Sequence, residues 1–254
     1  MYLTPHTLAL MPLGRLPSPP DPRTIQFTTI VKKYLPEPPQ NFTAWKGQKL
    51  PPGWGNESYG DCVVAARANI IYVQAILDRQ VPPRDDSLAI TEYLRLSEGD
   101  DNGLDMLTTL KEWRTRPWLT GQPLYAFAKI DPKNPLIIKQ SLASCLNLFI
   151  GVQMPRAWQR TTTWTVGHGR DFRPGTWGSH CVELHAYTNE WVELFSWGSI
   201  FHLTWEALAL YCDESYVMID GLTGQANEHR NAFVDLDMLK DVLADVALAP
   251  NDLY

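Results

Sequence analysis

Between Asp61 and Gln80 the chain carries no glycine and no proline, and Pro82-Pro83 stops whatever precedes it. Apolar side chains fall nearly all round this stretch: Val63, Val64, Ala65, Ala66, Ala68, Ile70, Ile71, Val73, Ala75, Ile76 and Leu77. A helix that is apolar on every face belongs in the middle of a fold, so the rest of the chain must wrap it. The 254 residues, 44% of them hydrophobic, suffice for that as one large domain or two small ones.

The wrapping elements can be read from period and punctuation. Residues 86–97 and Leu104 to Arg114 read as helices, separated by the turn Asp101-Asn102-Gly103. Lys133 to Leu148 reads as a further helix running into a strand over Phe149 to Met154. After Gly167 the period changes to two. In residues 179–187, His180, Val182, Leu184 and Ala186 share one face, and Cys181, Glu183, His185 and Tyr187 the other. Thr188-Asn189-Glu190 turns the chain into a partner strand, 191–197, and Phe201 to Leu203 suggests a third. A short helix over Trp205 to Tyr211, a last strand over Tyr216 to Ile219 and an amphipathic helix over Asp235 to Leu248 complete the chain. Helices first and an antiparallel sheet afterwards make an α+β layout. Three segments follow: a proline-rich extended arm over 1–55, a domain over 56–220, and a C-terminal segment over 221–254.

Composition removes several classes of function. A net charge of -6 without a Lys/Arg block argues against a nucleic-acid partner. The longest apolar stretch, near Leu142 to Met154, is too short to span a bilayer, so no membrane partner is expected. The N-terminus has no basic, apolar leader, which predicts cytoplasmic synthesis, with carriage in a virus particle left open. Four cysteines are too few for a disulfide scaffold. Oligomeric state cannot be read from the sequence.

The chemistry concentrates at the mouth of the apolar helix. A cysteine in a first helical turn, here Cys62, meets unpaired backbone N–H groups and the positive end of the helix dipole, and both favour thiolate. Gly60 allows close backbone approach, and Asp61 is the expected N-cap. A thiolate nucleophile needs a base, and His180, on an apolar strand face, is the candidate. A zinc site from Cys62, His180, Cys181 and His185 is disfavoured, because adjacent strand residues point to opposite faces and no CxxC pair exists. No metal or other cofactor is expected. The glycines and arginines of residues 167–178 form a loop that enters the His180 strand, either as a plain solvated loop or as a substrate rim.

Together these residues resemble the papain-like cysteine peptidases, and more closely the bacterial and phage proteins called peptidase C39-like. The resemblance rests on Gly55-Asn56 through Gly60-Asp61-Cys62, Trp177-Gly178 before His180, Trp197-Gly198 after the hairpin, and Cys212-Asp213-Glu214 before Tyr216. Asp101-Asn102-Gly103 and Ile130-Asp131-Pro132 fit the same order. It covers roughly residues 15 to 220. The resemblance implies a papain-like fold in which a central buried helix carrying the cysteine packs on an antiparallel sheet carrying the histidine.

By the same resemblance, Cys62 is the nucleophile, His180 the base and then acid, and Asn56 an oxyanion-hole donor, with Trp177, Gly178 and Trp197 lining the substrate side. One departure stands out. Papain-like enzymes place Asn just before Ser-Trp-Gly, and here that position is Phe195, which accepts no hydrogen bond. Alternation puts Ser196 on one side with Val192 and Leu194, where it can face His180 across the hairpin, so three outcomes stay open: a Cys-His dyad, a triad completed by Ser196 or a remote acid, or a dead site. Two readings of function remain: a thiol hydrolase acting on a peptide or peptide-like substrate, or an inactive papain-like binding or structural module, phage- or prophage-associated. An active dyad requires the Cys62 sulfur and a His180 ring nitrogen within about 4 Å.

Overall fold

A computed structural model describes residues 4–33, 35–45, 49–119, 124–220 and 233–248. The arm carries a single helical turn, α1 (Pro5–Leu8), a short strand β1 (Arg15–Leu16), a second turn α2 (Phe27–Ile30) and β2 (Phe42–Thr43). The apolar helix follows as α3 (Cys62–Leu77), then α4 (Asp86–Leu96), β3 (Leu104–Asp105) and α5 (Met106–Thr115). Side chains cap both later helices: Asp85 accepts from Ser87 N–H and Asp105 from Thr108 N–H. Then come β4 (Ala126–Lys129), α6 (Pro135–Cys145), β5 (Leu148–Met154) and β6 (Thr163–Trp164). The chain closes with β7 (Gly178–Tyr187), β8 (Trp191–Ser196), β9 (Ser199–Thr204), α7 (Trp205–Tyr211), β10 (Cys212–Ile219) and α8 (Leu236–Leu248).

Most boundaries lie within a few residues of the sequence reading, with three corrections. The last strand begins at Cys212, four residues before Tyr216, and carries a register shift between Cys212 and Glu214. Five short strands, β1 to β4 and β6, escape periodicity because none is long enough to show it. Strand β4 also precedes α6, which a helices-then-sheet order does not allow.

An eight-stranded sheet runs in the order β4-β10-β5-β7-β8-β9-β6, with β2 added to β7. It is antiparallel except where β6 meets β9. Its two faces hold separate cores. On one, Val182, Leu184, Ile150, Val152 and Val217 pack with α6, α7 and a tryptophan group around Trp158, Trp164 and Trp197. On the other, Cys181, Phe149, Tyr216 and Met218 pack against α3, α4 and α5. Every residue of α3 from Cys62 to Gln74 is buried, as its all-round apolar surface requires. The described α-helices include none long and apolar enough to cross a membrane.

The few polar groups under α3 are paired. Arg67 makes a two-pronged ion pair with Asp220 at 2.7 Å and 2.7 Å. Asn69 joins Trp54 to Glu183, and Glu183 meets His185, which meets Glu193, which meets His202 at the rim. This chain links helix and sheet through the core.

Candidate active site

Cys62 is the first residue of α3 and is fully buried. Its sulfur accepts the Cys181 N–H at 3.4 Å, so the helix mouth rests on the backbone one residue beyond His180. The backbone of Gly14, from the arm, lies close enough to the same sulfur to pull its pKa down slightly. Asp61 precedes the helix but makes no side-chain cap bond, which corrects the sequence expectation. The Asn56 amide lies beside the Asp61 carboxyl, yet neither oxygen meets a donor in good hydrogen-bonding geometry. Burial pushes that carboxyl up to about 8, with the Asn56 amide drawing it back only in part.

His180 sits near the start of β7, also fully buried. Its Nε2 lies 2.8 Å from Ser196 Oγ. Its ring stacks on Trp197 with centroids 4.5 Å apart and planes 13° from parallel. Two-residue hairpin geometry places that tryptophan: Ser196 pairs with Ser199, and Trp197 and Gly198 both have positive φ, at 48° and 67°. Glycine takes such a φ freely, and a tryptophan does so at a cost that its ring contacts offset. Trp177 packs on Trp197 in turn, at 5.9 Å.

Phe195 points away from His180, to the α3 side, where it stacks on His185 at 4.0 Å and donates its N–H to Glu183. The alternation of β8 thus sets Ser196, and not Phe195, against His180. Asn56 is buried in the turn before the helix and its Nδ2 donates to Tyr59 O at 3.3 Å. An amide nitrogen has a second hydrogen to offer.

The structure brings His180, Ser196 and Trp197 together and seats Cys62 against the neighbouring backbone. No hydrogen bond joins sulfur to imidazole: Nδ1 of His180 is buried without a partner among the described residues. Burial pushes the Cys62 thiol up to about 11 and the His180 imidazole down to about 3. Both groups are therefore neutral near pH 7, against the expectation of a helix-stabilised thiolate. The dipole of α3 is outweighed because no water reaches the sulfur.

The covering element is the arm. Leu104 N–H donates to Gly14 O at 2.9 Å, and Arg15 and Leu16 pair in parallel with Leu104 and Asp105. Gly14 lies so close on Gly60 that a Cβ there would stand 1.7 Å from Gly60 O. The next residue, Arg15, sends its guanidinium beneath the arm to Glu214 (2.9 Å) and Asp213 (2.7 Å). On the other side, Leu13 packs against Gly178. Sequence reading did not place Gly14, Arg15, Asp213 or Glu214 beside Cys62. The arm has no period, and the acidic pair acquires meaning only when β10 lies beside β5.

No family model matches the chain, and no curated protein is detectably similar in sequence. Solved structures are similar in shape. Xylellain, a cysteine protease from Xylella fastidiosa, superposes with a TM-score of 0.62 at 18% identity, over 84% of this chain and 97% of that one. A cysteine protease of Carica candamarcensis in complex with E-64 gives 0.51 at 15%, over 72% and 99%. A digestive procathepsin L from the larval midgut of Tenebrio molitor gives 0.56 at 8%, over 84% and 77%. The fold is that of the papain-like cysteine proteases.

Proposed function

We propose that this chain is a thiol hydrolase that cuts amide bonds in a peptide or peptide-like substrate, with its site covered in the described state by its own arm. The arrangement of His180 supports this reading most directly. An imidazole bonded through one nitrogen to Ser196, roofed by Trp197 and left with its other nitrogen unpartnered is placed to take a proton once the arm lifts and water relieves its burial. If Nε2–H donates to Ser196, Nδ1 carries the lone pair that takes the Cys62 proton.

The sulfur then attacks the substrate carbonyl carbon. The Cys62 backbone N–H and the second hydrogen of the Asn56 amide hold the oxyanion, and His180 returns its proton to the leaving amine. Water, deprotonated by His180, attacks the thioester and frees the acid. No step calls for a cofactor. Ser196 carries no charge, so it orients the imidazole without stabilising the imidazolium as a carboxylate would. The order of the sequence motifs supports a setting among bacterial and phage relatives.

The test uses Gly14→Ala, which cannot seat the arm, with and without Cys62→Ser. The first should cleave denatured protein into fragments seen by mass spectrometry, and the second should not. Iodoacetamide at pH 6 should label Cys62 in Gly14→Ala faster than a free thiol, and adding His180→Ala should abolish that advantage. Labelling no faster than a free thiol would leave a papain-like module without chemistry.

A further inference from the structure

Arg15 occupies a site built for a guanidinium. Only 5% of Arg15 is exposed, a rare state for an arginine, and it is reached from the arm rather than from the body. Its Nη1 meets Glu214 and its Nη2 meets Asp213. Both acceptors are themselves held: Tyr216 OH donates to Glu214 at 2.7 Å, and Gln153 donates to Asp213 at 2.6 Å. The floor is Gly151 on β5, where a Cβ would stand 2.4 Å from Nη1, so only glycine leaves room for the flat head. The pocket adjoins the sulfur: Gly151 pairs with Cys181, whose N–H donates to Cys62. Beside it lies a cavity of about 520 Å³, walled on one side by the arm from Arg15 to Gln26 and on the other by Leu107, Asp213, Glu214 and Tyr216.

Everything that shapes this pocket except its occupant belongs to the body: β5, β10 and the residues that hold their carboxylates. When the arm leaves, two carboxylates around a glycine-floored slot remain next to the nucleophile. We infer that the pocket formed by Gly151, Asp213 and Glu214 is the specificity subsite of the proposed hydrolase, and that it selects substrates presenting an arginine side chain. The inference rests on the hydrolase reading for its use, not for its binding chemistry. Two charge-assisted bonds to a planar fork favour arginine over a neutral isostere and over lysine, whose point charge matches one carboxylate at a time.

The probe is ethylguanidinium, with ethylurea as its neutral isostere. The full chain carrying Arg15→Ala should bind ethylguanidinium saturably by calorimetry and bind ethylurea roughly 10- to 100-fold more weakly. Adding Gly151→Ala should abolish the binding, because the new methyl fills the floor. Should Arg15→Ala fail to fold, the unsubstituted chain still reports: ethylguanidinium should raise the alkylation rate of Cys62 saturably by displacing Arg15, and ethylurea should not. Equal response to the two probes overturns the proposal. Turnover is scored separately on Gly14→Ala, with paired peptides containing arginine or citrulline. Cleavage without an arginine preference sinks the subsite, whereas guanidinium binding without any cleavage sinks the hydrolase and leaves the pocket standing.

Discussion

Gly14→Ala adds one methyl group, and the structure gives its consequence. The new Cβ would lie 1.7 Å from Gly60 O, 2.3 Å from Gly60 C and 2.5 Å from its Cα. These are backbone atoms that hold the turn before α3, so the arm must lift. Lifting breaks the Leu104–Gly14 bond and withdraws Arg15 from its two carboxylates. Asp213 is 43% exposed, so its pair with Arg15 counts for little. The buried Glu214 bond and the backbone bond together hold the arm down by about 3 kcal/mol. At about 1.4 kcal/mol per factor of ten, the exposed fraction of Cys62 rises roughly 100-fold. Alkylation proceeds through the open form, so its rate should rise by the same factor when opening is fast. The assay is iodoacetamide incorporation at pH 7, followed by intact-mass spectrometry and peptide mapping to separate Cys62 from the other three thiols. A Gly14→Ala chain that folds and labels Cys62 no faster than the unsubstituted one refutes the claim that the arm covers the sulfur.

Three further outcomes follow from the same coordinates. Asn56→Ala in the Gly14→Ala background should lower kcat roughly 100-fold with little change in KM, because an oxyanion donor acts only in the transition state; a change confined to KM would contradict the role. Asp61→Asn should raise the melting temperature at pH 8 and leave it nearly unchanged at pH 4. The folded carboxyl is raised to about 8 from an ordinary value near 4, so the stability of the wild-type chain falls as pH rises through that window, and the amide removes the fall. Parallel melting curves for the two chains across pH 4–8 would disprove it. His185→Leu should destabilise by about 3–5 kcal/mol, because it leaves the buried Glu183 without its cationic partner, with only Asn69 and the Phe195 N–H to hold it. Although burial lowers the His185 pKa, Glu183 and Glu193 outweigh it and raise it, so the contribution is full below about pH 6.5 and fades as pH rises through the raised value. A denaturant midpoint for His185→Leu that keeps the wild-type pH dependence would count against this network.

Much of this molecule was legible without coordinates, where a local rule sufficed. The apolar surface of α3 dictated its central place, the alternation of β7 put His180 and Cys181 on opposite faces, and the alternation of β8 chose Ser196 over Phe195 as the partner of His180. These follow from periods of 3.6 and 2.0, which each segment carries within itself. What needed the tertiary structure is what depends on contact between distant segments. The neutral Cys62 under the arm needs the tertiary structure, because helix position is local and desolvation is not. Arg15 lies far along the chain from Gly151, and Gly151 far from the adjacent Asp213 and Glu214, and no pattern announces that they share a pocket. An arm without periodicity has no preferred face of its own, so its path over the sulfur was decided by the surface it met.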